Sequence, residues 1–498
     1  MPRPAARPLR RRVLALALAA ATLATTPTAL AQDRPERAPA ASRIDWTSCA
    51  DAELREMGLS CGTLKVPVDH ARPGSGSLTL ALVRRPADDP RHRTGTLLLN
   101  NGAGGSSIEQ LRLAMRARLP AFAGAMTERF DLVAVDPRGV GHSTPIHCDK
   151  PLKPAGVSHF PRTRTAFHAL AAHNRAFAAD CLRRTGPLVA HTDLTSTARD
   201  FEAVRIALGE ARLNWYGIHY STLLGRTYAG LYPGRLRTMV LDTALDDTTS
   251  PTERIVREAA TAEEAFRRFT AWCAGSAECA LHGEDAGAAY DALVTRADRT
   301  PVPVGGGGGG RPLTGEDIRE ATQDYLTLSG VTWPLLAEAV VKARGGDASD
   351  FLRDPDDTLN PVQVRVPACL DHARPVTTFD QLTRLRKRLE RVSPHLGGAV
   401  RSYTALTGCL GWPVPAEPVA AGAPVHGAPP ALILQSTRQA LAPHSAGPAM
   451  AAQLPGSVVL SREGDDYSMF LLSTCAREAT NRYLTTRALP APGTLCTD

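Results

Sequence analysis

Short apolar runs alternate with helical patterns along most of the chain. Helices are predicted over 196–209, where Gly209 is expected to end the apolar periodicity, and over 473–487. Seven runs have the length and the bulky aliphatic residues typical of strands: 78–85, 95–101, 130–136, 213–218, 237–242, 431–436 and 457–462. Strands separated by helices predict an α/β fold, with a mostly parallel sheet and helices on both faces.

The pattern changes near residue 249 and changes back near residue 411. Residues 249–410 are richer in helical patterns, and a connector rich in Pro, Ala and Gly (411–430) leads back to strands. This organisation predicts a core in two parts, 32–248 and 411–498, with residues 249–410 inserted between them as a helical lid.

The first 31 residues have the pattern of a secretory signal peptide rather than of a folded element. Five arginines precede or flank the start of the apolar run 13–23, and Ala29-Leu30-Ala31 is typical of a cleavage site. Export by the general or the twin-arginine route is expected. No later apolar run is long enough to span a bilayer, so the mature protein is expected to be secreted, without a membrane anchor.

Composition and charge limit the classes of binding partner that are expected. The chain has 498 residues, of which 43% are hydrophobic and 21% charged, as in ordinary globular proteins. Its net charge of +7 includes the five arginines of residues 1–31, so the mature part carries only +2. No nucleic-acid partner is therefore expected; a small-molecule or short-peptide ligand is.

The ten cysteines have neither C-x-x-C pairs nor the spacing of metal ligands, so neither a metal nor a cofactor is expected. Disulfides are expected in an exported chain with an even number of cysteines. Their connectivity is not fixed by the sequence, but their positions suggest local pairs: Cys49–Cys61, Cys148–Cys181, Cys273–Cys279, Cys369–Cys409 and Cys475–Cys496.

The segment Gly217-Ile218-His219-Tyr220-Ser221 joins a predicted strand to a predicted helix. Gly-x-Ser-x-Gly at such a turn is the nucleophile elbow of serine hydrolases. Here histidine stands at the centre and serine at the end. The histidine must then tolerate the positive φ of an elbow, which a buried, hydrogen-bonded filler can do.

Six segments in a fixed order give the chain a family resemblance. They are "LLLNNGAGGSS" (97–107), "FDLVAVDPRGVGHSTPIHC" (130–148), "YGIHYSTLLGRTYAGLYPGRLRTMVLDTALD" (216–246), "CLDHARP" (369–375), "CLGWPVP" (409–415) and "LPAPGTLC" (489–496). The mature chain resembles the secreted tripeptidyl-aminopeptidase-like α/β hydrolases of actinobacteria, related to prolyl iminopeptidases. The resemblance implies the α/β-hydrolase fold and a Ser-Asp-His triad.

All three triad positions implied by the resemblance are substituted. The nucleophile position falls on His219, the acid on Gln439 and the base on Tyr467. Gln439 cannot carry a negative charge, and Tyr467, with an unperturbed pKa of about 10, is a poor base near neutrality. The three polar side chains are expected to converge in one pocket.

Other residues of that pocket are expected from the same resemblance. An oxyanion site is implied by Gly102, Gly104 and Gly105, with Ala103 between them, and by the backbone of Tyr220. Alternatively, these glycines are needed only by their turns.

Three carboxylates are candidates for the same pocket. Asp371 is a candidate to receive an amino terminus, or to pair with Arg374 or Arg365. Asp465 and Asp466 are candidates to pair with His219, or are solvated loop residues.

Three interpretations follow, and whether the protein is an enzyme stays open among them. The favoured one is a pseudoenzyme that binds a peptide-like or small-molecule ligand without hydrolysing it. The second is a repurposed enzyme in which His219 and Tyr467 perform acid–base chemistry such as elimination, isomerisation or cyclisation. The third is an active exopeptidase or esterase with a relocated nucleophile, for which Ser221 is the nearest serine.

Overall fold

Ten strands form one mixed, mostly parallel sheet in the order β1-β2-β3-β5-β4-β6-β7-β8-β9-β10. The computed structural model describes residues 43–100, 105–154, 156–305, 311–327, 329–352, 360–416, 418 and 422–498. The strands are β1 (Thr47–Ser48), β2 (Ser60–Pro67), β3 (Ser77–Arg85), β4 (Gly95–Asn100), β5 (Phe130–Val135), β6 (Leu213–Ile218), β7 (Leu236–Asp242), β8 (Leu432–Ser436), β9 (Val458–Arg462) and β10 (Leu495–Cys496). From β5 to β10 all neighbouring strands run parallel, whereas β1, β2, β3 and β5 pair antiparallel.

The helices follow the predicted alternation. They are α1 (Ala52–Glu56), α2 (Ser107–Arg116), α3 (Ala125–Arg129), α4 (Arg164–Thr185), α5 (Leu194–Ala207), α6 (Tyr220–Leu231), α7 (Pro251–Gly275), α8 (Ala286–Arg299), α9 (Gly315–Tyr325), α10 (Ser329–Arg344), α11 (Pro361–Asp371), α12 (Phe379–Val392), α13 (Arg401–Gly408), α14 (Ala446–Gln453), α15 (Met469–Leu472) and α16 (Thr474–Thr486). Helices α7–α13 lie between β7 and β8, in the region predicted as the lid. No helix of the described residues is both apolar enough and long enough to cross a bilayer.

The central strands are buried on both faces because their sequences are continuous apolar runs. Every residue of β4, β6 and β8 is buried. On β6, Trp215 packs with Phe201 of α5 and Tyr228 of α6, and the next residue, Tyr216, packs on the opposite face with Phe470. This alternation gives the sheet a helix layer on each side and confirms the predicted α/β fold.

The five disulfides join the pairs that the sequence positions suggest: Cys49–Cys61, Cys148–Cys181, Cys273–Cys279, Cys369–Cys409 and Cys475–Cys496. Cys369 of α11 and Cys409, next to α13, share a buried cluster with the Cys148–Cys181 pair and Trp412. The cluster ties the end of the inserted helices to the segment that follows β5. The predicted signal peptide (1–31) lies outside the described residues.

Close packing of α6 against β6 requires a glycine in the helix. A Cβ on Gly225 would lie 2.7 Å from Nε1 of the buried Trp215 and 3.0 Å from Leu241. Gly230, one helical turn and a residue later, is exposed, and a Cβ there would find only Val425, at 3.9 Å.

We therefore expect Gly225→Ala to destabilise the fold by about 1–3 kcal/mol through overpacking. The matched variant Gly230→Ala is expected to stabilise it by about 0.5–1 kcal/mol, through helix propensity. Urea unfolding of the oxidised protein measures both. Equal effects of the two substitutions would contradict the close packing of α6 on Trp215.

Candidate active-site cavity

The turn between β6 and α6 places His219 at its apex. His219 has φ 51° and ψ −113°, the positive φ expected of an elbow. Its backbone N–H donates to the carbonyl of Asp242 (2.9 Å), and its carbonyl accepts from the N–H and Oγ1 of Thr222 (2.9 and 2.6 Å). A Cβ on Gly217 would come within 2.8 Å of the Ser221 carbonyl oxygen, so this position requires glycine. The local geometry of a nucleophile elbow is retained without its serine.

His219 faces a cavity of about 750 Å³ beneath the inserted helices. The elbow supplies Tyr220 and Leu223, and the segment after β8 supplies Leu441 and Pro443. Helices α7, α11 and α13 and their flanking residues supply much of the remaining wall, including Arg254, Ile255, Glu258, Ala368, His372, Val400 and Arg401. The volume suits a small molecule or a short peptide.

Two of the three positions to which the family resemblance assigns a triad lie together in the structure. The rings of His219 and Tyr467 lie 5.8 Å apart between centroids, inclined at 39°, and both line the cavity. Gln439 is fully buried and is absent from the cavity lining. Its Oε1 accepts from the N–H of Leu441, and its amide nitrogen has no hydrogen-bond partner among the described residues. The expected convergence therefore holds for His219 and Tyr467 only.

The imidazole of His219 has no acidic partner. Neither ring nitrogen has a hydrogen-bond partner in the part of the chain that the structure describes. Burial, reinforced by the charge of Arg401, lowers the pKa of His219 to about 3. The ring is therefore neutral at physiological pH, and no carboxylate of the described residues contacts it to raise its basicity.

Asp242, at the end of β7, holds the segment that carries Tyr467. Its buried carboxylate accepts from the hydroxyls of Tyr216 (3.0 Å) and Ser468 (2.7 Å), and from the N–H groups of Met469 (3.2 Å) and Phe470 (3.1 Å). The next residue, Thr243, donates its hydroxyl to the carbonyl of Tyr467. Sequence reasoning missed this positioning role, although an aspartate at the carboxyl end of a parallel strand was the available signal.

Asp465 and Asp466 are engaged elsewhere. Asp465 accepts from the backbone N–H and the hydroxyl of Ser329 (3.2 and 3.1 Å), and Asp466 forms an ion pair with Arg462. Neither lines the cavity, and the structure places neither in contact with His219.

Asp371 is a buried carboxyl group facing Tyr220 rather than the large cavity. It accepts from the N–H of Leu194 and from the Tyr220 hydroxyl, both at 2.8 Å. Neither alternative ion pair forms, because Arg374 donates to the carbonyls of Trp412 and Val414 and Arg365 donates to the carbonyl of Gly408. Burial raises the pKa of Asp371 to about 8.

The expected oxyanion residues are described in part. Gly102 and Gly104 lie outside the described residues, and Gly105 is buried just before α2. Tyr220 is the first residue of α6, so its N–H has no partner within the helix and is available to an anion. Ser221 is fully buried, and its hydroxyl is unpaired and absent from the cavity lining.

Two groups of described side chains have ligand atoms close enough for a metal ion. In the first, Cys475 and Cys496 are joined by a disulfide, which leaves Asp498 as the remaining candidate ligand. The second comprises His159, Glu316 and Glu320. The Lys153 ammonium donates to Glu316 (2.6 Å) and Asp317 (2.9 Å), and so supplies the positive charge there. The group is therefore explained as an ion-pair network.

The positive φ of His219 is expected to cost stability, since non-glycine residues in such conformations are strained by about 1–3 kcal/mol. His219→Gly and His219→Ala both remove the imidazole, but only glycine relieves the backbone. We expect the glycine variant to unfold with a free energy at least about 1 kcal/mol larger than the alanine variant. Equal stabilities in urea unfolding would contradict a strained elbow.

The raised pKa of Asp371 determines the direction in which the stability of the fold changes with pH. Between pH 4 and pH 8 the folded protein retains a proton on Asp371 that the unfolded chain releases, so this group destabilises the fold as pH rises. Asp371→Asn is expected to gain stability relative to the wild type by more than about 1 kcal/mol between pH 5 and pH 8. Thermal unfolding at the two pH values measures the gain, and a pH-independent difference would contradict the buried neutral carboxyl.

Two family models match the chain. The model described as alpha/beta hydrolase fold matches residues 95–290, and the model described as TAP-like protein matches residues 394–496. Carboxylesterase B of Mycobacterium tuberculosis is 32% identical over 98% of both chains. Serine protease Hip1 of the same species is 29% identical over 91% of both chains. Tripeptidyl aminopeptidase of Streptomyces coelicolor is 28% identical over 91% of this chain and 86% of its own. The matches confirm the resemblance and the fold, and the chain belongs to the TAP-like α/β hydrolase family of actinobacteria.

Proposed function

We propose that the protein is an exported, non-hydrolytic member of its family that binds a peptide-like or small-molecule ligand in the cavity above the elbow. One observation carries the proposal. The nucleophile position holds an imidazole that is neutral, faces the cavity and makes no hydrogen bond to a base or an acid among the described residues.

Hydrolysis by a serine requires a nucleophile, a base and an acid that are in hydrogen-bond contact. A nucleophile must donate its proton to a base, and a carboxylate must orient and stabilise that base. At this elbow the nucleophile is absent, the base position is a tyrosine, and the acid position is an amide whose Oε1 is bonded to the backbone. Without these groups, only binding and the oxyanion site remain to accelerate a reaction.

A relocated nucleophile has little support in the geometry. Ser221, the nearest serine, is fully buried behind the turn. A Cβ added at Gly217 would lie 3.0 Å from the Cβ of Ser221. Its hydroxyl has no partner in the described residues to accept its proton, and it does not line the cavity.

Acid–base chemistry by His219 and Tyr467 is a second candidate function, favoured by the contact of the two rings. Such a pair is suited in principle to elimination, isomerisation or cyclisation. A base is most effective when its pKa lies near the working pH, and a pKa of about 3 makes His219 a weak one. Ligand binding without catalysis is therefore the function that we propose first.

Export is part of the proposal on two grounds. Residues 1–31 have the pattern of a signal peptide, and five disulfides are typical of proteins that mature in an oxidising compartment.

The proposal predicts that the wild-type protein neither cleaves amino-terminal tripeptide or ester substrates nor reacts with a fluorophosphonate probe. The double variant His219→Ser, Tyr467→His places a nucleophile and a base at the two positions that lie together at the elbow. We expect probe labelling of this variant at least about 100-fold above that of His219→Ser alone, because an isolated serine lacks its base.

Stoichiometric labelling of the wild type that Ser221→Ala abolishes would overturn the proposal in favour of a relocated nucleophile. Catalytic turnover of any substrate that is lost in both His219→Ala and Tyr467→Phe would overturn it in favour of acid–base catalysis.

A further inference from the structure

The carboxylates that line the cavity are already engaged by the protein. Asp317 binds Arg311 and Lys153, and Glu320 lies 3.1 Å from His159. Asp246 accepts from the backbone and hydroxyl of the neighbouring Thr248, and Glu258 accepts from Gln323. None of these described carboxylates is left free to receive a cationic ligand group.

Five of the six arginines among the described residues that line the cavity also form hydrogen bonds or ion pairs with other residues of the protein. Their partners are carboxylates for Arg257, Arg311 and Arg401, and mainly backbone carbonyls for Arg365 and Arg374. The sixth is Arg254, in the first turns of α7. Its guanidinium makes no hydrogen bond or ion pair with any residue that the structure describes.

The carboxylates near Arg254 have other partners. Glu258, one turn further along α7, interacts electrostatically with Arg254 but accepts hydrogen bonds from Gln323 (3.0 Å) and from the N–H of Ser402 (3.5 Å). Glu253, its neighbour in sequence, pairs with Arg388 at 2.7 Å. The positive end of the α7 dipole adds to the same potential. Tyr220 and His372 feel the charge of Arg254, and their rings are in edge contact at 5.7 Å. An unpaired guanidinium in a partly desolvated wall is costly unless a bound anion pairs with it.

Apart from Glu258 and the Asp246–Arg257 pair, much of the wall described near this charge is apolar or neutral. Leu223, Leu245 and Ile255 line the cavity beside the elbow. His372 and His219 are both neutral at physiological pH, since burial lowers the pKa of each to about 3. A ligand suited to this wall has an apolar body and one anionic group.

We propose that the cavity binds carboxylate ligands with an apolar body, and that Arg254 pairs with the carboxylate. The inference rests on the proposed binding function and adds the chemical class of the ligand. It also reverses the polarity implied by the family resemblance, in which a lid carboxylate receives an amino terminus.

Calorimetric titration of the exported protein with matched probes tests the proposal. One pair is decanoate and decanol; the other is an N-acetylated hydrophobic tripeptide with a free carboxylate and the same peptide as its carboxamide. We expect the acid of at least one pair to bind about tenfold or more tightly than its neutral partner, as a charge-assisted contact allows. Which pair shows the preference identifies a fatty acid or a peptide carboxyl terminus as the source.

Three variants assign the preference to Arg254. Arg254→Gln is expected to abolish it, and Arg254→Lys to retain part of it. Arg311→Gln is the matched control: Arg311 lines the same cavity but is paired with Asp317, which keeps Lys153 as a partner. This variant is expected to keep the wild-type preference. Because Arg254 has no described hydrogen-bond or ion-pair partner to lose, Arg254→Gln is expected to fold with an unfolding free energy equal to or larger than that of the wild type.

Equal binding of acid and neutral probes would overturn the carboxylate inference while leaving the binding function in place. A preference unchanged in Arg254→Gln would overturn the role of Arg254. Absence of binding by all four probes would overturn the inference, whereas hydrolysis of ester or peptide substrates by the wild type would overturn the proposed function.

Discussion

Asp242 is the residue on which the geometry of the cavity floor depends. Its backbone carbonyl accepts from His219, and its buried carboxylate accepts four hydrogen bonds that hold Tyr216 and the segment after Tyr467. One residue at the end of β7 thus fixes the elbow on one side and the Tyr467 loop on the other. Burial raises the pKa of this carboxyl, and the four donors oppose that shift. The site keeps its shape through these bonds, none of which involves a triad side chain.

This separation of scaffold from chemistry explains how His219, Gln439 and Tyr467 are accommodated in an intact α/β-hydrolase fold. The positive φ of His219 strains the backbone, and such strain persists only where surrounding structure determines it. Here the determinants are Gly217, which permits the tight approach of Ser221, and Thr222, whose hydroxyl ties the turn to His219. Because these contacts do not involve the side chain at position 219, the imidazole of His219 occupies the cavity-facing apex of the elbow.

The features of the architecture that could be predicted from the sequence are those that depend on residues close together in the chain. The apolar runs of β4, β6 and β7 and the positive φ at His219 follow from short stretches of chain, and the disulfides join cysteines that are consecutive along it. The two-residue edge strands β1 and β10 carry too few residues to show a pattern. The buried position of Gln439 and the unpaired state of Arg254 depend on packing between distant elements, so periodicity and spacing could not predict them.

The electrostatic character of the cavity also depends on Gln439, which lies at the position that the family resemblance assigns to the acid. A hydrolytic triad requires an ionised acid near the elbow to hold a basic imidazole, and that acid would repel an anionic ligand. Gln439 is neutral, Asp371 is buried with a raised pKa and His219 is uncharged, while the described carboxylate Glu258 acts on Arg254 without pairing with it. An amide at position 439 therefore carries no negative charge near the elbow. The proposed carboxylate ligand would meet the unpaired guanidinium of Arg254 without repulsion from an ionised acid at that position.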